Sequence, residues 1–194
     1  MNWIDVCGPP AVGKSTLLDE LWPPRGIPFD GGAYPFEWRD FLDTAWRLLG
    51  EVRDHPSHGA CASMMKRSFQ KMATVHRRKD RRTYIQTGFA QRGLGLGWRH
   101  SNPDAVAAYF QAMPVSLGVV ILKAPLDVIE HRNRMRNKPD RSHMVPGMVR
   151  PLEIAEDAMR SRGVPVIAID MARPIERSRG KLSAFAGSVG ASRG

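Results

Sequence analysis

The sequence predicts a three-layer α/β fold on a parallel sheet of five strands, with a short arginine-bearing lid over one edge. Three observations predict it. Short apolar runs alternate with segments of helical periodicity, the pattern of strand–helix–strand units. The first run, Trp3-Ile4-Asp5-Val6-Cys7, leads without a break into a glycine-framed G-x-x-x-x-G-K-S segment. Prolines 125, 151 and 174 stand where helical segments begin, and a first-turn proline has no hydrogen bond to lose.

Taken in order, a strand over 2–7 runs into the glycine-rich loop, and a helix over 14–21 follows it. A second strand is expected over 26–29, then helices over 36–49 and 61–78. A third strand over 83–86 precedes a glycine-rich connection at 87–99, read as flexible, and a helix over 103–111. The fourth strand, 117–122, feeds a helix over 125–136, and the lid occupies about 132–148. A helix over 151–161 stops at Gly163, a strand covers 164–169, and the last helix covers 174–185. One domain over 1–186 accounts for the chain, with a small, polar, frayed tail at 187–194.

Composition narrows the setting. The chain has 194 residues, enough for a core without disulfides or structural metals. Cys7 and Cys61 lack metal or redox spacing, the six histidines show no ligand pairing, and no G-x-S-x-G elbow marks a hydrolase. The longest apolar stretches are too short for a bilayer and a strand begins at the N-terminus, so the expectation is a cytoplasmic protein without signal peptide or membrane contact. If the chain is phage-encoded, that means the host cytoplasm. The net charge of +10 points to a polyanionic partner, with DNA as one candidate and a triphosphate as another.

The chemistry starts at Gly8, Pro9, Pro10, Ala11, Val12, Gly13, Lys14, Ser15 and Thr16. A strand before and a helix after make this the phosphate-binding loop of the P-loop NTPase fold. Consecutive backbone N–H groups converge on the β-phosphate, Lys14 reaches the β- and γ-phosphates, Ser15 ligates Mg²⁺, and Thr16 lies near the α-phosphate. ATP with Mg²⁺ is the expected cofactor, since no guanine-reading motif is present.

In such a sheet the loops after the strands share the catalytic face. Asp30 emerges after the second strand as the candidate base for an attacking hydroxyl, or as an Asp-Gly turn residue. Glu37 and Arg39 open the next helix and are candidates for acceptor recognition. No acid stands at Gln86 or Thr87, where a second metal-orienting carboxylate is expected, so either Asp30 supplies that charge or phosphates and Ser15 hold the metal. Gln91 and Arg92 are further acceptor candidates. Arg132 and Arg136, four apart on one helical face, suit transition-state charge stabilisation in cis, so no obligate protein partner is implied. Ala172 and Arg173 follow the last strand and can flank the adenine. A basic cluster from Lys66 to Arg82 is either a solvated face or a phosphate-tracking strip.

This ordered set resembles the small P-loop kinases of the nucleoside-monophosphate kinase type. Within them, V-C-G-P-P-x-V-G-K-S-T and the compact basic form are most like phage kinases that phosphorylate 5-hydroxymethyluracil in DNA, a step of thymidine hypermodification. That resemblance implies ATP as donor and the hydroxymethyl oxygen of a DNA base as nucleophile, with Tyr34, Phe36, Trp38 and Trp98 as stacking platforms for a flipped base. A kinase of a free nucleotide, nucleoside or other small hydroxyl-bearing metabolite is the alternative. A non-catalytic ATP-binding switch is a third reading.

Overall fold

The computed structural model describes residues 3–18, 83–85, 88–100, 103–113, 115–136 and 141–191. Strand β1 (Trp3–Cys7) leads through the glycine-framed loop into helix α1 (Lys14–Leu18). Then come β2 (Thr83–Ile85), α2 (Phe89–His100), α3 (Pro103–Ala112) and β3 (Gly118–Lys123). Helix α4 (Leu126–Arg134), a 3-10 turn (Ser142–Met144), α5 (Pro146–Ser161), β4 (Val166–Asp170) and α6 (Ile175–Ala191) complete the described chain.

All pairings are parallel, in the order β2-β1-β3-β4. The described sheet therefore has four strands rather than five, and the strand expected over 26–29 lies outside the described residues, as do the helices expected over 36–49 and 61–78. Asp5 of β1 is level with Ile85 and Val119, and Lys123 is level with Asp170. β3 is apolar and buried from Gly118 to Leu122, as a strand covered on both faces is, and only Lys123 at its end is exposed. Ile4, Val6, Leu17, Val120, Leu122 and Ile169 form the core under the loop, each fully buried aliphatic side chain contributing about 1.5–3 kcal/mol.

Three expectations need correction. The glycine-rich connection is a regular helix, α2. Glycine costs a helix about 1 kcal/mol relative to alanine, but here close packing wins. A Cβ on Gly93 would stand 2.5 Å from the Phe110 ring, and one on Gly97 would stand 2.4 Å from Pro151, so these two positions let α3 and α5 press onto α2. Pro151 is accordingly inside α5, not in its first turn, because the helix begins at Pro146 and uses Pro151 as the knob against Gly97. The frayed tail expected from 187 is instead helical to Ala191, since Leu182, Ala186 and Val189 fall on one face and are buried in the core. Gly163 does stop α5, with φ of 69° and its N–H donated to Arg160 O at 2.9 Å.

Candidate phosphate site

The loop between β1 and α1 is shaped by three residues in the left-handed half of backbone space, Gly8 (φ 155°), Ala11 (φ 58°) and Gly13 (φ 108°). At Gly8 the requirement for glycine is also steric. A Cβ there would lie 2.7 Å from Leu122 O, so the loop can leave the sheet hard against β3 only without a side chain. Ala11 accepts a backbone strain of about 1–2 kcal/mol, which the surrounding fold holds in place. Leu17 N–H bonds Gly13 O at 2.9 Å, so the helical ladder begins where the loop ends.

Lys14 folds back over this loop. Its Nζ donates to Gly8 O at 2.6 Å and Pro9 O at 2.8 Å. Burial, with Arg136 adding repulsion, lowers its pKa from 10.5 to about 8. Ser15 and Thr16 are exposed at the loop's mouth, and Thr16 O accepts from Arg179 at 3.3 Å. Left-handed backbone, an ammonium already seated on main-chain oxygens and an exposed hydroxyl fit a phosphate with its Mg²⁺. No group of three His, Cys, Asp or Glu able to hold a metal by itself occurs among the described residues.

Arg132, expected in the lid, lies across the site. One guanidinium nitrogen donates to Val12 O at 3.0 Å and the other to Met171 O at 2.8 Å, tying the phosphate loop to the segment after β4. Arg136 is exposed near Lys14, within electrostatic reach. Ala172 and Arg173 are exposed beyond Met171, where Asp170 accepts from Ala172 N–H at 2.9 Å and from Arg173 Nε at 3.3 Å.

Gln91 comes to the loop rather than standing off it: Gly8 N–H donates to Gln91 Oε1 at 3.1 Å. Arg92 is half-buried next to it, and its charge favours the ionised form of Asp5. Asp30, Glu37 and Arg39 lie outside the described residues, as do Gln86, Thr87, the aromatics Tyr34, Phe36 and Trp38, and the basic cluster up to Arg82. Trp98 of α2 packs its ring 6.1 Å from that of His143 in the 3-10 turn and against Gly147 at the start of α5.

Two contributors escaped the sequence reading. Arg179 reaches Thr16 O in α1 from α6, and nothing in its local pattern marks it. Asp5 did leave a signal, a carboxylate in an otherwise apolar strand. It is fully buried, and its Oδ2 accepts Ala90 N–H at 2.9 Å at the start of α2. Burial raises its pKa to about 7, against the pull of the Ala90, Phe89 and Val6 N–H groups and of Arg92. Burial and that neighbouring charge push the Cys7 thiol up, so it is no nucleophile.

This is an α/β protein with a P-loop kinase-like fold. The chain is similar to deoxyadenosine kinase from M. mycoides with products dCMP and a flexible dCDP bound, at a TM-score of 0.55 and 12% identity, covering 96% of this chain and 99% of that one. The same enzyme with bound dCTP gives 0.54 and 10%, covering 96% and 99%. With bound dATP it gives 0.54 and 9%, covering 94% and 97%. At such identities the likeness is one of fold. No protein-family model matches the sequence, and no curated protein does. No helix among the described residues is long and apolar enough to cross a membrane.

Proposed function

We propose that the protein is an ATP-dependent phosphotransferase whose acceptor is the hydroxyl of a nucleoside or deoxynucleoside. The observation that carries this is the phosphate loop itself, with Lys14 on Gly8 O and Pro9 O and Arg132 on Val12 O at its rim. ATP with Mg²⁺ supplies the transferable γ-phosphoryl group. Lys14 exchanges its two carbonyls for phosphate oxygens, Ser15 provides the metal-facing hydroxyl, and the N–H groups from Gly8 to Thr16 line the cradle. Arg132 and Arg136 meet the charge that spreads over the moving group. Asp30 takes the acceptor's proton, Glu37, Arg39 and Arg92 bind the acceptor, and Ala172 and Arg173 flank the adenine. Gln91, placed by sequence among the acceptor residues, supports the loop through Gly8 in this state.

The fold likeness is to a kinase whose bound molecules are deoxynucleotides, which favours a free nucleoside over a DNA base. A hydroxymethylated base in DNA is the second reading, favoured by the net charge of +10. Transfer of label from γ-³²P-ATP to deoxynucleosides, ribonucleosides, nucleoside monophosphates and 5-hydroxymethyluracil DNA, side by side, separates them. Label on a nucleoside is the expected result. Label confined to the DNA establishes the second reading, and phosphate release with no labelled acceptor makes the protein a nucleotide switch.

A further inference from the structure

We propose that Asp5 is a positioning residue for the phosphate loop, acting through the first turn of α2 and Gln91 on the backbone of Gly8. Three contacts form the chain. Asp5 Oδ2 accepts Ala90 N–H at 2.9 Å, which fixes where α2 starts. The adjoining residue, Gln91, turns its amide oxygen to Gly8 N–H at 3.1 Å. Gly88 lies so close that a Cβ on it would stand 2.6 Å from Asp5 Oδ1, so backbone packs directly on the carboxylate. A buried acid is costly unless well paired, yet Asp5 Oδ1 has no hydrogen-bond partner among the described residues. A helix cap alone would be served by asparagine or serine without that penalty, and the carboxylate's stronger pull on the N–H groups of α2 is what the acid adds.

The surroundings isolate this group. Among the described residues, Arg92 from α2 and Cys7 from its own strand are the charged or titratable groups that act on it, and Ile85 and Val119 stand level with it on the strands to either side. Its pKa of about 7 places the change of charge in the working range, and the acid form has less hold on the Ala90 and Phe89 N–H groups. The loop is therefore most firmly set when Asp5 is ionised.

The inference deepens the nucleotide-binding reading, on which one arm of its test rests, while the other arm does not need it. In the nucleotide-free protein, amide hydrogen exchange at Gly8 reads the Gln91 contact directly. Asp5→Ala and Gln91→Ala should each lower Gly8 protection, about tenfold on the scale of one lost hydrogen bond. The double variant should lose no more than either one, because both act on the same contact. Asp5→Asn, which retains a neutral acceptor for Ala90 N–H but lacks the carboxylate's stronger pull, should give protection between those of wild type and Asp5→Ala and remove its pH dependence between pH 6 and 8. The affinity for ATP should follow the same order among the variants. Gly8 protection unchanged in Asp5→Ala, or losses that add in the double variant, would overturn the proposal. Should Asp5→Ala fail to fold, an Asp5→Asn protein with the wild-type pH profile would overturn it equally. Wild-type protein that binds no nucleoside triphosphate would instead defeat the functional reading, and the exchange arm would still decide the role of Asp5.

Discussion

Arg132 donates to the carbonyl of Val12 at 3.0 Å, so α4 is fastened to the phosphate loop by a main-chain oxygen. Its other nitrogen holds Met171 O at 2.8 Å, and one planar guanidinium thus spans two segments that flank the site. Lysine has neither the fork nor the reach for both. Arg132→Lys should therefore lose phosphoryl transfer nearly as fully as Arg132→Ala, by about 10²–10³ in kcat, the scale for removing one preorganised charge-stabilising donor. Rapid-quench transfer assays check this. A lysine variant with wild-type kcat would mean that Arg132 only braces the fold.

Lys14 is the second test. Its pKa of about 8 lies below the 10.5 of the unfolded chain, so the folded state holds it less protonated, and stability from this group rises as pH climbs from about 8 toward 10.5. A bound triphosphate restores the charge. Nucleotide binding should then take up close to one proton per site near pH 9 and almost none at pH 7. Calorimetric titration in two buffers of different ionisation enthalpy measures that number. Lys14→Ala should abolish both the uptake and the transfer.

Asp5 has the opposite sign. Its pKa is raised from 3.8 to about 7, so its contribution to stability is fully present below pH 4 and is lost as pH rises through 7. The difference between wild type and Asp5→Asn across that window should reach about 4 kcal/mol at most, the shift converted at 1.36 kcal/mol per unit. Urea denaturation of both proteins at pH 3.5 and pH 8 gives it. Parallel pH curves for the two would show that Asp5 is not the titrating group.

Helix glycines provide a paired test. Gly97→Ala drives a methyl into Pro151 and Val106 and should destabilise by about 1–3 kcal/mol despite the better helix former. Gly187→Ala, where a Cβ meets nothing within 4 Å, should stabilise by up to about 1 kcal/mol. Thermal melts of the two variants decide whether glycine serves packing at the first position alone.

The phosphate loop and the strands around it are legible in the sequence because local chemistry determines them. Gly8, Gly13 and Lys14 act within one short loop, and β3 is apolar from Gly118 to Leu122. What the sequence hides is set by distant partners. The helical state of α2 depends on Phe110 and Pro151 filling the grooves that Gly93 and Gly97 open, and local propensity argues against it. The helical end at Ala191 depends on a core that only the assembled sheet provides. The place of Gln91 after a strand suggests an acceptor contact, whereas the partner it has here, the Gly8 N–H, is 83 residues away and invisible to local pattern.

The two cations of the site are held by the protein's own backbone. Lys14 and Arg132 together engage the carbonyls of Gly8, Pro9, Val12 and Met171, and an incoming phosphate must compete with these for the same donors. Binding is thus a substitution, in which the number of hydrogen bonds changes little and the added favourable energy comes from replacing neutral oxygens by charged ones. A neutral mimic of a phosphate, equal in shape and acceptor count, would displace nothing. The cradle discriminates by charge, and the protein's own backbone is the competitor that enforces it.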